Sequence, residues 1–125
     1  MLSQTKALII EDTTVLRVVT RKWLEYAGYE VEEARNGQEG LNAMIAGSYD
    51  LVLCDADVPV LDGFECIAQL REYEQDQGRP RQFVLCVTDR NDDGDQELLA
   101  AGMDRVVRKP LKKASFDAIL RSIAG

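Results

Sequence analysis

Short apolar runs along the chain alternate with longer stretches in which apolar residues recur every three or four positions. Three of the runs, residues 7–10, 51–54 and 83–87, are entirely apolar, as is typical of strands buried on both faces. Two weaker runs, residues 30–34 and 105–108, carry several charged side chains and predict strands at the edges of a sheet. The pattern therefore predicts five strands.

The stretches between these runs predict five amphipathic helices. The first begins near Val15 and ends at Gly28, and the third is expected to run out in the polar residues 72–77. Strand and helix alternate five times, which favours a parallel sheet with helices on both faces in one α/β domain over residues 1–125. The apolar stripes contain Val15, Leu16, Val18, Val19, Trp23, Leu24 and Ala27, then Leu41, Met44 and Ile45, then Phe64, Ile67 and Leu70, then Leu98, Leu99 and Ala101, and finally Phe116, Ile119, Leu120 and Ile123.

Composition narrows the classes of function. A net charge of -7 disfavours a free-standing nucleic-acid binder, which would present a basic face. No apolar run is long enough to span a bilayer and no leader is evident, so we expect a cytoplasmic protein with no membrane segment. Cys54, Cys66 and Cys86 form no C-x-x-C pair and are interpreted as reduced packing thiols. The chain has no histidine, which excludes histidine-based triads, histidine-ligated metals and a phosphohistidine of its own.

The polar residues that end the predicted strands form one constellation. Carboxyl ends of parallel strands meet at one edge of the sheet, where ligands bind in open α/β folds. Carboxylates crowded there favour a hard cation, Mg²⁺ first and Mn²⁺ as the alternative, and a carboxylate can also act as a nucleophile that forms an aspartyl phosphate. The residues in question are Glu11, Asp12, Asp55, Asp57, Thr88 and Lys109.

In these motifs the chain resembles the receiver domains of two-component response regulators, and most of all those of hybrid histidine kinases. The matching segments run from residues 8–12 through 50–55, 59–63, 87–88 and 100–104 to Lys109-Pro110, in family order and over the whole chain. The resemblance implies a flavodoxin-like (βα)5 fold, doubly wound around a five-stranded parallel sheet with strand order 2-1-3-4-5. It also implies a cis bond between Lys109 and Pro110.

The resemblance assigns a role to each residue at the sheet edge. Asp55 would accept the phosphoryl group, and Thr88 and Lys109 would hold its oxygens. Mg²⁺ would be ligated by Asp12, Asp55 and the backbone carbonyl of Asp57, with Glu11 acting through water. The donor would be a histidine kinase or a histidine phosphotransfer domain that docks near the start of the first helix, for example on Leu16. A homodimer could assemble through the fourth helix, fifth strand and fifth helix.

Three positions depart from the family pattern. Val106 stands where receivers usually carry Tyr or Phe, which puts the usual aromatic output switch in doubt. Asp89 adds a negative charge directly after Thr88. Asp57 and Arg90 flank the path of attacking water in this family, so we hypothesise that they pair and set the lifetime of the phosphate.

Other interpretations stay open at this point. A pseudo-receiver would keep the fold and act only as a binding module. A haloacid-dehalogenase-like phosphatase would use Asp55-Ala56-Asp57, but Pro59 stands where Thr or Val is usual and the chain has no room for a cap. A flavodoxin is disfavoured because Asp12 brings a carboxylate where a phosphate cradle is needed. The sequence alone does not distinguish a stand-alone receiver from a segment of a larger kinase.

Overall fold

The computed structural model describes residues 5–89 and 95–124. Five strands and five helices alternate along the described ranges, as the sequence predicts. The strands are β1 (Lys6–Ile10), β2 (Glu30–Ala34), β3 (Leu51–Asp55), β4 (Val84–Thr88) and β5 (Arg105–Arg108). The helices are α1 (Thr14–Tyr26), α2 (Gly37–Ala46), α3 (Gly63–Gln77), α4 (Asp95–Ala101) and α5 (Lys113–Ala124).

All strand pairs are parallel and their order is β2-β1-β3-β4-β5, which confirms the predicted flavodoxin-like topology. The order reverses between β1 and β3, and this switch point opens a crevice at the carboxyl ends of the two strands. The acidic residues that end β1 and β3 therefore face each other across the crevice.

Side chains of the central strands alternate between two apolar layers. On one face, Ile9 and Leu53 pack with Leu24 of α1 and Phe116 of α5. On the other face, the strands pack against α2, α3 and α4 through a cluster that includes Cys54, Cys66 and Cys86. All three cysteines are free and buried, which confirms their interpretation as packing thiols.

The first helix corrects one sequence prediction. Val15 and Val18 belong to its predicted apolar stripe, yet they are 69% and 47% exposed. The polar side chains of Arg17 and Thr20 are buried instead. Their side chains find acceptors inside the fold, since the Thr20 hydroxyl donates to the Leu16 carbonyl and the Arg17 guanidinium donates to the Glu11 carbonyl.

The third helix ends within the predicted polar residues 72–77. Its last residue is Gln77, and Gly78 caps it in the left-handed region. Glu74 is buried within that polar stretch because it accepts hydrogen bonds from the Arg71 guanidinium and from the Gln82 backbone amide. A buried ionic network thus extends the helix beyond its apolar stripe.

Among the helices in the described ranges, none has both the length and the apolar character needed to cross a bilayer.

Candidate functional site

The carboxylates at the ends of β1 and β3 lie close together. Each of Glu11, Asp12 and Asp55 offers an oxygen, and these oxygens lie within 4.8 Å of one another. Glu11 and Asp55 are 6% and 7% exposed, whereas Asp12 is exposed. The parallel register pairs Ile10 with Cys54, and this alignment brings the residues that follow the two strands to the same edge.

Lys109 contacts this cluster from the end of β5. Its Nζ lies 2.8 Å from Asp55 Oδ2 and 3.4 Å from Glu11 Oε1. The Lys109 backbone amide donates to the Thr88 carbonyl at 2.7 Å, and the Lys109–Pro110 bond is cis, as expected. The ammonium is therefore held over the two buried carboxylates from two strands away.

Asp55 accepts hydrogen bonds on both of its carboxylate oxygens. Burial alone would raise its pKa, but the Asp57 backbone N–H, the Lys109 ammonium and a hydrogen bond from Glu11 together lower the pKa of Asp55 below its ordinary value. The Asp57 amide donates to Oδ1 at 2.9 Å, on the oxygen that Lys109 does not contact. Asp55 is therefore ionised at neutral pH, as a nucleophile must be.

Glu11 behaves in the opposite way. Burial and its contacts with the Asp55 carboxylate raise the pKa of Glu11 to about 7, against a weaker lowering effect of the Thr13 backbone amide. The Thr13 amide donates to Glu11 Oε2 at 3.3 Å. The pKa of Lys109 is raised. Burial of its ammonium opposes this change, but the Asp55 and Glu11 carboxylates outweigh the burial.

The remaining predicted site residues lie around this core. Thr88 is fully buried at the end of β4, in register with Arg108. Asp89 is exposed and lines the crevice. Val106 is half-buried and packs against the apolar layer on the α3 side. Asp57 is exposed, and its predicted partner Arg90 lies outside the described residues, so their pairing stays a prediction.

The donor set fits a hard divalent cation. Three carboxylates face one ammonium, so the ionised cluster keeps a surplus of negative charge that a divalent ion would neutralise. The metal ligands that the cluster offers are all carboxylate oxygens, the ligand type that Mg²⁺ and Mn²⁺ prefer. The pKa of Glu11 is raised first by burial and then by the neighbouring Asp55 carboxylate, so a cation bound there would favour the ionised form of Glu11.

Sequence reasoning missed two features of the site. A mostly apolar cavity of about 460 Å³ opens beside Asp55 and Lys109, between α1 and the start of α5, and the half-buried Leu16 lines it. Arg17 lies under the Glu11 backbone and had no assigned role. The sequence does contain a signal for Arg17, because this basic residue lies within the apolar stripe of the helix that follows the acidic end of β1.

Comparisons with known proteins agree with this geometry. The family model of the response regulator receiver domain matches residues 7–121. Hybrid signal transduction histidine kinase B of Dictyostelium discoideum is 32% identical over 120 residues, which cover 89% of this chain and 6% of that protein. A second hybrid kinase of that organism, kinase L, is matched over 7% of its length, so the chain spans only a small part of these relatives.

Solved structures give the same picture. The receiver domain of a sensor histidine kinase from Pseudomonas aeruginosa PAO1, with a magnesium ion in its active site cleft, is 30% identical with a TM-score of 0.84, over 98% of this chain and 100% of that chain. The receiver domain of a Saccharomyces cerevisiae response regulator, crystallised with a histidine phosphotransfer protein, shares the fold at 24% identity with a TM-score of 0.86, over 99% of this chain and 89% of that one. The chain belongs to the response regulator receiver domains of two-component signalling.

Proposed function

We propose that this receiver domain takes a phosphoryl group onto Asp55 from a phosphohistidine on a partner protein, in a reaction that depends on Mg²⁺. The observation that carries the proposal is the contact between Lys109 Nζ and Asp55 Oδ2 at 2.8 Å, next to a cluster of three carboxylates. A buried carboxylate kept ionised beside a fixed ammonium is poised both to attack phosphorus and to have the product's charge neutralised.

The chemical step balances on the residues of the site. An Asp55 carboxylate oxygen attacks the phosphorus of the phosphoimidazole, the P–O bond forms and the P–N bond breaks, and the donor imidazole leaves with the electron pair. The chain contains no histidine, so the phosphohistidine must come from a histidine kinase or a histidine phosphotransfer domain.

Charge neutralisation follows from the neighbours of Asp55. Asp12, Asp55 and the backbone carbonyl of Asp57 would hold Mg²⁺, with Glu11 acting through water, and the metal when bound would withdraw charge from the phosphoryl oxygens. Lys109 would move from its ion pair with Asp55 to a phosphoryl oxygen, and the Thr88 hydroxyl would donate to another. Slow hydrolysis of the resulting acyl phosphate would reset the domain.

The phosphodonor would dock on the exposed start of α1. Val15 and Val18 are exposed valines close in sequence to Asp12, whereas the expected contact residue Leu16 is half-buried and lines the cavity. Val15→Glu and Val18→Glu should slow transfer from a protein donor without slowing phosphorylation by acetyl phosphate. Leu99→Glu, on the 46% exposed Leu99 of α4, is the matched control and should change neither rate.

A pseudo-receiver remains the competing function, and Val106 and Asp89 are the residues that favour it. Val106 lacks the aromatic ring that reports phosphorylation in most receivers, and Asp89 places a further carboxylate beside the crevice. Neither residue contributes a hydrogen bond to Asp55 among the described contacts, so we expect phosphorylation itself to survive. The signal would then be carried by something other than an aromatic toggle.

The experiment is intact mass after incubation with acetyl phosphate, with and without Mg²⁺, repeated with a protein phosphodonor. A Mg²⁺-dependent gain of one phosphate in the wild type, retained in Asp62→Asn and lost in Asp55→Asn, is the expected result. Asp62 is the matched control because its carboxylate caps α3 away from the cluster, where it accepts from the Glu65 amide. No adduct from either donor would contradict phosphoacceptance and favour the pseudo-receiver.

A further inference from the structure

Arg17 is a buried cation directly beneath the acidic end of β1. It is 7% exposed, and its guanidinium makes contacts with three separate segments of the chain. Nη1 donates to the Glu11 backbone carbonyl at 2.8 Å, Nε donates to Glu33 Oε1 at 3.1 Å, and Nη2 donates to Thr14 Oγ1 at 3.2 Å. One side chain thus joins the end of β1, the strand β2 and the first turn of α1.

The carbonyl that Arg17 binds belongs to the peptide between Glu11 and Asp12. On the other side of Glu11, its N–H donates to the Ala34 carbonyl at 3.0 Å. The Glu11 main chain is therefore held by one hydrogen bond on each side, which fixes the orientation of the peptide from which both carboxylates extend. Without Arg17, this buried carbonyl would lack its donor and the peptide would be free to rotate.

The contact acts through geometry more than through charge. The Arg17 guanidinium has Glu33 as its carboxylate partner, which it shares with Arg21, and its contact at the site is to an uncharged backbone carbonyl. A guanidinium reaches the carbonyl, Glu33 and Thr14 at once because its donors form a rigid planar fork, and a lysine ammonium cannot reproduce that arrangement. Charge alone, as in Arg17→Lys, should therefore not restore the site.

We propose that Arg17 is a positioning residue of the metal site, which holds the Glu11 and Asp12 carboxylates in the arrangement that binds a divalent cation. This inference rests on the proposed function in so far as that function assigns Mg²⁺ to the cluster. Outer contacts that orient metal ligands commonly change metal affinity by about 10–100-fold when they are removed. Arg17 is not among the residues that would hold the cation, so it would act only through the Glu11 main chain.

The test is calorimetric titration of Mg²⁺ into the unphosphorylated protein, which measures affinity without any phosphotransfer. Arg17→Lys and Arg17→Met should weaken Mg²⁺ binding about tenfold. Arg71→Met is the matched control, because Arg71 is also buried, at 9% exposure, and donates to two backbone carbonyls and two carboxylates, yet it contacts no residue of the cluster. It should lower the stability while leaving the Mg²⁺ affinity within twofold.

Three outcomes distinguish the positioning role of Arg17 from the proposed binding of Mg²⁺ by the cluster. Wild-type binding with weakened affinity in Arg17→Lys but not in Arg71→Met supports both. Wild-type binding with equal affinity in the Arg17 variants overturns the positioning role and leaves the metal site standing. Absence of Mg²⁺ binding by the wild type overturns the metal site and the inference together. If Arg17→Met fails to fold, Arg17→Lys and Glu33→Gln carry the comparison, and Glu33→Gln should weaken binding by a smaller factor than Arg17→Lys.

Discussion

Glu11 and Asp55 are hydrogen-bonded carboxyl groups whose pKa values are shifted in opposite directions. The pKa of Glu11 rises to about 7, chiefly through burial and then through Asp55, while the pKa of Asp55 is lowered because the Asp57 amide and Lys109 outweigh its burial. A proton taken up by the pair near neutral pH therefore resides on Glu11 and not on Asp55. The site thus separates an ionised group that can react from a neighbour that can take up or release a proton.

Mg²⁺ binding should depend on pH around 7 because of Glu11. In the metal-free protein Glu11 becomes protonated as the pH falls through about 7, and a protonated carboxyl cannot support a cation. We expect Mg²⁺ affinity to rise from pH 6 to pH 8, with proton release on binding at pH 6. Calorimetry in two buffers of different ionisation enthalpy measures that release, which Glu11→Gln should abolish. An affinity that does not change between pH 6 and pH 8 would contradict the prediction.

Without a bound cation, the fold should lose stability as the pH rises from about 4.5 to about 7. A carboxyl whose pKa is raised on folding binds more protons in the folded than in the unfolded state, so its contribution to stability falls as pH rises from about 4.5 to about 7. Denaturant unfolding at pH 5 and pH 8 should show this loss in the wild type and a smaller one in Glu11→Gln. Added Mg²⁺ should restore stability at pH 8 and have little effect at pH 5.

Lys109 should keep the pKa of Asp55 low. Its Nζ is 2.8 Å from Asp55 Oδ2, so Lys109→Met removes the nearest positive charge while it preserves much of the side chain's length. We expect the pKa of Asp55, followed by carboxyl NMR, to rise because its ionised form loses the Lys109 hydrogen bond and charge. Lys113→Met is the control, since Lys113 pairs with the distant Asp117. An unchanged Asp55 pKa in Lys109→Met would mean that the Asp57 amide alone keeps Asp55 ionised.

Much of the fold could be predicted because the pattern of the central strands is so regular. The strands Leu51–Asp55 and Val84–Thr88 are buried along their whole length, as is typical of a parallel sheet covered on both faces. The predicted apolar stripe of α1 is wrong in part, because apolar spacing alone does not predict which polar side chains are buried in a helix. In α1 the buried face includes Arg17 and Thr20, and in α3 it includes Glu74, because each of these polar groups has partners inside the fold.

The site was predictable to the extent that parallel topology brings strand ends together. The convergence of Glu11, Asp12, Asp55 and Lys109 follows from that rule, and the distances agree with it. The role of Arg17 did not follow, because its contact is to a backbone carbonyl whose direction the sequence does not specify. The opposite pKa changes of the two acids also depend on geometry, since burial raises the pKa of Glu11 while the Asp57 amide and Lys109 lower that of Asp55.

Val60 carries backbone strain in the loop between β3 and α3. Its φ is 72°, in the left-handed region, which is costly for a β-branched side chain, and its side chain is 79% exposed, so little packing depends on it. Val60→Asn should raise the free energy of unfolding by about 1 kcal/mol, since Asn tolerates this conformation. Val15→Asn, at an exposed helical position, should change it little, because the two residues have similar helix propensities. Equal effects of the two variants would argue against strain at Val60.

The same loop approaches α2 so closely that only glycine fits at the first position of the helix. A Cβ at Gly37 would lie 1.6 Å from the Leu61 carbonyl oxygen, and the Gly37 amide donates to the Pro59 carbonyl at 3.3 Å. Gly37→Ala must push the loop away, and we expect it to cost about 2 kcal/mol or more of unfolding free energy. Gly47→Ala is the control, since a Cβ there meets the Ala43 carbonyl oxygen at 3.6 Å, an ordinary contact, and should cost less than about 0.5 kcal/mol.

The loop joins Asp55 to α3, so displacement of the loop in Gly37→Ala should also loosen the Asp57 amide from the carboxylate and raise the pKa of Asp55. A destabilised Gly37→Ala variant with an unchanged Asp55 pKa would show that the close approach supports the fold and not the site.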